Sequence, residues 1–450
     1  MKKIILTTAL VTLASTTPGL AHAASDADME KIQAQMQIMM ERIEALEAEN
    51  KELKKTLTTE PAITSPGRTA AATPDTIEPS AGDIAVPGTG TTLKFGGYVK
   101  ANAISDIGSG YGADYANFSA IPLDGSATAK KDTDFHAHVR DTRLNATVTT
   151  PTDIGDVKAF VEVDFFGTRG SELITNGHGI QVRHAYGQVG GLLAGQTWSN
   201  FIDMDAYPES LDYVGPVGIS LLRQTQVRYS GDLGNDLSYS VSLENPNADF
   251  TKNSSDSDTV STHERMPDFI AQIKQQADWG HWSLSGLARD INIENETTSQ
   301  SESEIGYGLA LASKMNVGDK DNLKVRLTYG DGIGRYLFDA AAGGNTAIAY
   351  NNGTLDSQKA WAGYAAYQHH WTDTLRSNIE GGYIGMDNNT TLLGTTAVNE
   401  SIWSAHANLI WQPVKQYKVG VEYMHGHREL ENNTEGDLDR VQASFIYALN

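Results

Sequence analysis

From Leu93 to the C-terminus the chain repeats one pattern that few folds can use: apolar and polar residues alternate one for one, segment after segment. Leu93, Phe95, Val99, Ala101 and Ala103 interleave with Lys94, Tyr98, Lys100 and Asn102. Val157, Ala159, Val161, Val163 and Phe165 alternate with Lys158, Glu162 and Asp164, and Leu323, Val325, Leu327 and Tyr329 with Lys324, Arg326 and Thr328. Near the end, Val441, Ala443, Phe445, Tyr447 and Leu449 alternate with Gln442, Ser444 and Asn450. A period of two sends successive side chains to opposite faces of a strand, so each segment has one oily and one polar face. A soluble sandwich hides the oily faces inside; a membrane barrel turns them out to lipid.

The N-terminus favours the barrel. Lys2 and Lys3, an apolar run from Ile4 to Leu13, and small residues ending Ala21-His22-Ala23 read as a secretory signal over residues 1–23. That run is too short to span a bilayer, and no later stretch reaches the roughly 18–20 apolar residues that a transmembrane helix needs. An exported chain without a helical anchor belongs in the periplasm, outside the cell, or in the outer membrane as a barrel. The absence of cysteine rules out a disulfide scaffold. The formal charge of −22 argues against nucleic acid, whose phosphates need a basic surface. It does not fix the sign inside a channel, because loops can hold the acids while the lumen holds the bases. A mean hydropathy of −0.36 suits a wide barrel, in which only alternate strand residues meet lipid.

Residues 24–57 hold a strict heptad, with Met29, Met36, Ile43, Asn50 and Leu57 at a and Ile32, Met39, Leu46 and Leu53 at d. In that register Arg42 faces Glu47, and Glu49 faces Lys54, of a parallel neighbour. The segment is expected to self-associate as a short periplasmic coiled coil through Ile32, Met36, Met39, Ile43, Leu46, Asn50, Leu53 and Leu57. Asn50 is the polar a residue that fixes register. Residues 58–90, with Pro61, Pro66, Pro74, Pro79 and Pro87 among Thr, Ala, Ser and Gly, read as an extended linker. Its reach would let the stalk sit near the cell wall.

Residues 91–450 then supply the barrel. About sixteen strand candidates follow one another, near 93–104, 135–149, 157–167, 180–189, 191–197, 221–230, 236–245, 267–277, 281–290, 304–315, 322–330, 359–370, 375–385, 400–411, 417–425 and 438–449. The connections alternate in length: 105–134, 168–179, 198–220, 246–266, 291–303, 331–358, 386–399 and 426–437 are long, and those between are short. Even strand number with long loops opposite short turns predicts an all-β, outer-membrane barrel of a Gram-negative bacterium, with both termini in the periplasm. At that strand number the barrel is too wide for side chains to fill.

One connection stands apart. Trp198 to Ser220 carries Asp203, Asp205, Glu209 and Asp212 among Phe201, Ile202, Met204, Tyr207, Pro208, Tyr213, Val214 and Pro216, too apolar for a solvated loop. It is expected to fold into the barrel, pack on the wall and place its acids at a constriction. Strand parity turns Lys94, Lys100, Arg143, Arg183, Arg228, Lys274, Lys324 and Arg326 inward. On the second strand the parity slips near Asp141 and Thr142, and a bulge there would bring Arg140 in beside Arg143. Arg223 has outward parity and joins the group because it sits at the loop junction. About half of these bases are expected to pair with lumen carboxylates such as Glu162, Asp164 or Glu380. The rest, facing an acidic loop across a low-dielectric throat, would set up a transverse field that selects solutes by sign. Bidentate guanidinium geometry suits carboxylates. The pairs His136/His138 and His425/His427 share strand faces but lack further ligands, so no metal is expected. No nucleophile elbow, phosphate loop or HExxH motif occurs, so neither an enzyme nor a cofactor is expected.

The run Val182-Arg183-His184-Ala185-Tyr186-Gly187, then Leu193-Ala194-Gly195-Gln196-Thr197-Trp198-Ser199, then Tyr207-Pro208 and Asp212-Tyr213-Val214-Gly215-Pro216, resembles the DcaP-type outer-membrane porins. Thr150-Pro151-Thr152-Asp153 and Val163-Asp164-Phe165-Phe166-Gly167 fit the same pattern, and the stalk and linker fall within the likeness. The resemblance implies a homotrimer of sixteen-stranded barrels in outer-membrane lipid, a periplasmic coiled coil, and diffusion of small anionic solutes, dicarboxylates included. The inward loop would begin at Trp198, with the selectivity bases on the strands around it. Two other readings stay open: a general or cation-preferring porin governed by Asp203, Asp205 and Asp212, and an envelope tether whose barrel is incidental.

Overall fold

The computed structural model describes residues 83–449 apart from 171, 172, 174, 297, 345 and 346. The leader, the heptad and most of the Pro-rich segment lie outside the described residues. The alternating segments form sixteen antiparallel strands in a single closed sheet. The first eight are β1 (Thr92–Ile107), β2 (Thr133–His138 and Arg143–Thr150), β3 (Val157–Asp164), β4 (Gln181–Val189), β5 (Leu192–Trp198), β6 (Arg223–Gly234), β7 (Leu237–Glu244) and β8 (Asp268–Ala277). The second eight are β9 (Gly280–Asn295), β10 (Gln300–Val317), β11 (Asp321–Asp331), β12 (Lys359–His370), β13 (Leu375–Asp387), β14 (Asn399–Val414), β15 (Tyr417–Leu430) and β16 (Glu435–Ala448). Each pairs with the next, and β1 closes the ring on β16: Asn102 faces His138 on one side and Ser444 on the other. All sixteen segments marked by the alternation are strands, their ends moved by a few residues.

The faces are arranged inside out relative to a soluble protein. On β10 and β11, Leu309, Leu311, Leu327 and Tyr329 are exposed, whereas Ala310, Ala312, Arg326 and Thr328 between them are buried. Exposed aromatics gather at both rims, with Trp279, Trp371 and Trp411 at the short-turn end and Trp361 and Trp403 at the long-loop end. Indole rings favour such places because an apolar body can sit in lipid while N–H meets water. Among the described residues no helix is long and apolar enough to cross a membrane.

The bulge expected on β2 is present. Asn102 is opposite His138 and Tyr98 is opposite Arg143, so three residues of β1 face four of β2 and the parity flips between them. Two connections expected to be long are not: 296–299 and 431–434 are four residues each, because β9 and β10, and β15 and β16, keep pairing beyond the other strands. The β9–β10 projection is covered by the connections 245–267 and 332–358, where Phe250–Lys252, Ile348–Asn351 and Thr354–Ser357 form a small sheet. Ile291 and Ile293 are buried there against Ala248, Ile348 and Tyr350.

Over one arc, the inward positions are apolar. Ile270, Leu287, Ile384, Ile402, Met424 and Leu438, from β8, β9 and β13 to β16, are buried inside the barrel with Phe118, Phe201, Val217, Tyr336 and Leu337 from three long connections. This departs from a lumen of uniform polarity. These positions face folded-in chain rather than water, and burying them holds the loops in place. The interior is therefore filled at the long-loop end along β8–β16, while no residue of β2–β7 belongs to that apolar cluster.

Candidate pore constriction and its basic wall

The connection between β5 and β6, residues 199–222, runs across the inside of the barrel and is bonded to the far wall. Its middle is the anchor. Glu209 accepts two hydrogen bonds from Arg376, at 2.7 and 2.6 Å, one from Gln368 at 2.7 Å and an ammonium contact from Lys418 at 3.2 Å. Burial raises the pKa of this carboxyl, but the Arg376 hydrogen bonds and the charges of Lys418 and Arg376 overcome that and bring it to about 2. One residue on, Ser210 Oγ and the Leu211 N–H both donate to Glu422 at 2.6 Å. The Leu211 carbonyl accepts from Lys100 at 2.6 Å and Gln442 at 2.8 Å. Two glycines permit the close approach: a Cβ on Gly382 would lie 1.9 Å from the Val217 carbonyl, and one on Gly218, at φ +85°, would meet Gly363 and Tyr383 carbonyls at 2.9 Å.

The other loop acids are also occupied. Asp203 accepts from Lys274 at 3.0 Å, Ser283 at 2.7 Å and His281 at 2.8 Å. Asp212 accepts from the N–H groups of Ala116, Val214 and Gly215. Asp205 meets Lys274 yet keeps 65% of its side-chain surface open. The loop acids thus mainly tie the loop to the wall, and only Asp205 offers much surface to the bore. Asp203, Asp205 and His281 stand close enough for one cation, but the Lys274 ammonium touches both aspartates. His425 and His427 bond Asp439 and Asp437 beside the exposed ring of Trp403. His136 and His138 stack at 6.3 Å, and His138 reaches the Asp114 carbonyl.

The basic residues separate by partner. Lys100 pairs with Asp141 at 2.5 Å, Arg140 with Asp114, and Arg183 with Asp164 at 2.6 Å and Glu162 at 3.0 Å. Arg326 is fully enclosed, donating to the Phe201 carbonyl at 3.0 Å, so it props the loop from beneath. Arg143 lies 4.0 Å from Glu162, already claimed by Arg183, with its guanidinium near the rings of Tyr98 and Tyr213. Arg223 has no carboxylate partner among the described residues; it stacks 4.3 Å from the Trp198 ring and reaches Tyr213 Oη at 3.5 Å. The Arg228 side chain makes no ion pair or hydrogen bond among the described residues, and lines a cavity of about 210 Å³ with Asn200, Ser240 and Lys274.

Arg143, Arg223 and Arg228 stand on β2 and β6, away from the apolar arc, and separate polar cavities lie beside Arg223 and Arg228. Three participants escape the sequence reading, and a fourth, Tyr213, is expected from sequence only as an apolar loop residue packed on the wall. Arg376 and Lys418 share inward parity with Asn378 and Glu422, a signal that could have found them. Tyr213 joins Arg183 and Arg223 through its hydroxyl, and Arg335 arrives from the connection 332–358; no periodicity marks either.

A closed barrel of this strand number, with an inward loop and a basic side wall, is a channel. The family model for the DcaP outer membrane protein matches residues 20–449. The chain belongs to the DcaP outer membrane protein family. It is similar to the crystal structure of the outer membrane channel DcaP of Acinetobacter baumannii, with 26% identity, a TM-score of 0.67, and coverage of 80% of this chain and 97% of that one. The anion-selective porin from Comamonas acidovorans matches at 9% identity and TM-score 0.53, over 80% of this chain and 100% of that one. Salmonella typhi OmpF matches at 13% identity and TM-score 0.50, over 82% and 100%. These two share the fold. No curated protein sequence matches the chain. As a DcaP-family protein with a porin barrel, this chain is an outer-membrane porin.

Proposed function

We propose that this DcaP-family porin is a passive diffusion channel that prefers small anionic solutes, dicarboxylates among them. One observation carries the reading: Asp203, Glu209 and Asp212 are bonded to wall groups or main-chain N–H groups, while Arg143, Arg223 and Arg228 lack a carboxylate of their own. The loop's negative charge is largely cancelled where it is made, and the positive charge of the opposing wall is not. A channel throat with that imbalance concentrates anions. Guanidinium groups also offer paired N–H donors that fit a carboxylate.

The loop from residue 199 to 222 is the constriction in this reading, and Arg143 and Arg228 are the selectivity bases below Arg223. The heptad over residues 24–57 would assemble three copies in the periplasm, after removal of residues 1–23, with the cell wall within reach of the linker. The test is the reversal potential of the purified protein in planar bilayers under a salt gradient, with and without succinate. At roughly 8 Å and an effective dielectric constant of about 40, one Arg–anion interaction is worth about 1 kcal/mol, close to fivefold in relative permeability. Anion preference, reduced severalfold by Arg143→Ala or Arg228→Ala, is the expected result. Cation preference would assign the throat to Asp205, and absence of conductance would favour an envelope tether.

A further inference from the structure

A second polar cavity, of about 430 Å³, opens at the long-loop end, above the constriction. Two of its arginines reach it by routes that strand parity does not supply. Arg223 begins β6 with outward parity, but its cross-strand neighbour Trp198 holds the guanidinium 4.3 Å from the indole ring and turns it to the mouth. Arg335, in the Gly334–Tyr336 turn, donates to the Gln224 side-chain oxygen at 2.6 Å and the Asn245 carbonyl at 3.3 Å, both neutral acceptors. Neither has a carboxylate within ion-pair distance among the described residues. A guanidinium has five N–H donors, so both keep donors to offer. Arg140, the third, is committed to Asp114 and the Phe165 and Gly167 carbonyls.

The same cavity carries an aromatic cluster that the arginines adjoin, Arg140 lying 4.6 Å from the Phe166 ring and Arg223 reaching Tyr213 Oη at 3.5 Å. Phe166 and Tyr213 lie with centroids 4.2 Å apart, Tyr115 meets Phe166 edge-on at 5.7 Å, and Phe338 meets Tyr115 at 6.2 Å. A volume of this size is ordinary for a small-molecule site. A fully hydrated dianion such as succinate would use the arginines and leave the aromatic wall unmatched; a carboxylate on a flat apolar body would use both. We propose that this cavity is a binding site for aryl carboxylates, loaded from the long-loop side before the constriction. The proposal rests on the anion-preferring reading above and adds a ligand class to it.

The experiment is block of the KCl current through the full mature protein by sodium benzoate, sodium acetate or sodium succinate, each added to one side at a time. Benzoate should block from the long-loop side at a concentration at least tenfold lower than acetate does. Arg223→Gln and Arg335→Gln should each weaken that block about tenfold. Phe338→Ala, in a loop helix outside the barrel wall, should weaken benzoate block while leaving acetate unchanged. Should a variant fail to insert, calorimetric titration of benzoate into the detergent-purified wild-type protein, with acetate as competitor, supplies the same comparison. Equal block by benzoate and acetate, or a benzoate block untouched by all three substitutions, overturns the site. An anion-selective channel without benzoate preference sinks this inference alone; a cation-selective channel sinks the reading beneath it.

Discussion

Glu209 is the point at which the inward loop of residues 199–222 can be released without touching the wall. Replacing it by Gln keeps an acceptor for Arg376 but removes the charge shared by Arg376 and Lys418. In an undocked loop the carboxyl returns to its ordinary pKa of 4.5, against about 2 when docked. At 1.36 kcal/mol per pKa unit, that interval is worth about 3–4 kcal/mol of docking free energy, and roughly three-hundredfold in the undocked population. The sign follows from a depressed acid: the contribution is complete above pH 4.5 and disappears as pH falls towards 2. Single-channel recording should therefore show wild-type current quiet at pH 7 and increasingly noisy below pH 4.5. Glu209→Gln should be noisy at pH 7 already, with a smaller further response to acid. A variant as quiet as wild type, or wild-type noise unchanged between pH 5 and pH 2.5, would refute the anchor.

Asp339 titrates in the opposite sense. It is buried in the loop helix Phe338–Ala342, accepts the Gly218 N–H at 3.1 Å, and burial pushes its pKa up to about 7. A raised acid makes the docked state bind the extra proton, so docking of this helix is most favourable below pH 4 and weakens by about 4 kcal/mol as pH rises to 7, because the buried carboxyl must then carry its charge. Hydrogen exchange at the Gly218 amide should accelerate beyond its intrinsic pH dependence over that range, and Asp339→Asn should abolish the excess. Gly382→Ala places a methyl against the Val217 carbonyl, and overpacking of this kind costs about 1–3 kcal/mol. The loop should shift off β13, and conductance should change while the thermal transition of the barrel moves little; unchanged conductance would show that the loop can yield locally.

The alternation of apolar and polar residues determined the strands, their number and their two unlike faces, because a period of two is a property of each segment alone; that the oily face turns outward needed the secretory signal and the alternation of long and short connections as well. Even the β2 bulge was readable, since an extra residue must flip the parity at Asp141 and Thr142. Which bases keep a usable charge was not readable. Arg143 and Arg183 have the same inward parity, yet cross-strand register and Tyr213 give Glu162 and Asp164 to Arg183 and leave Arg143 at 4.0 Å. Arg326 looked like its neighbours until Phe201 covered it. Arg223 pointed the wrong way until Trp198 redirected it. The inward apolar arc from Ile270 to Leu438 was likewise invisible, because a strand does not record whether its lumen face meets water or a returning loop. Each of these outcomes depends on a contact between residues far apart in the chain, such as Glu209 with Lys418, and only the closed barrel brings them within Coulombic and packing range.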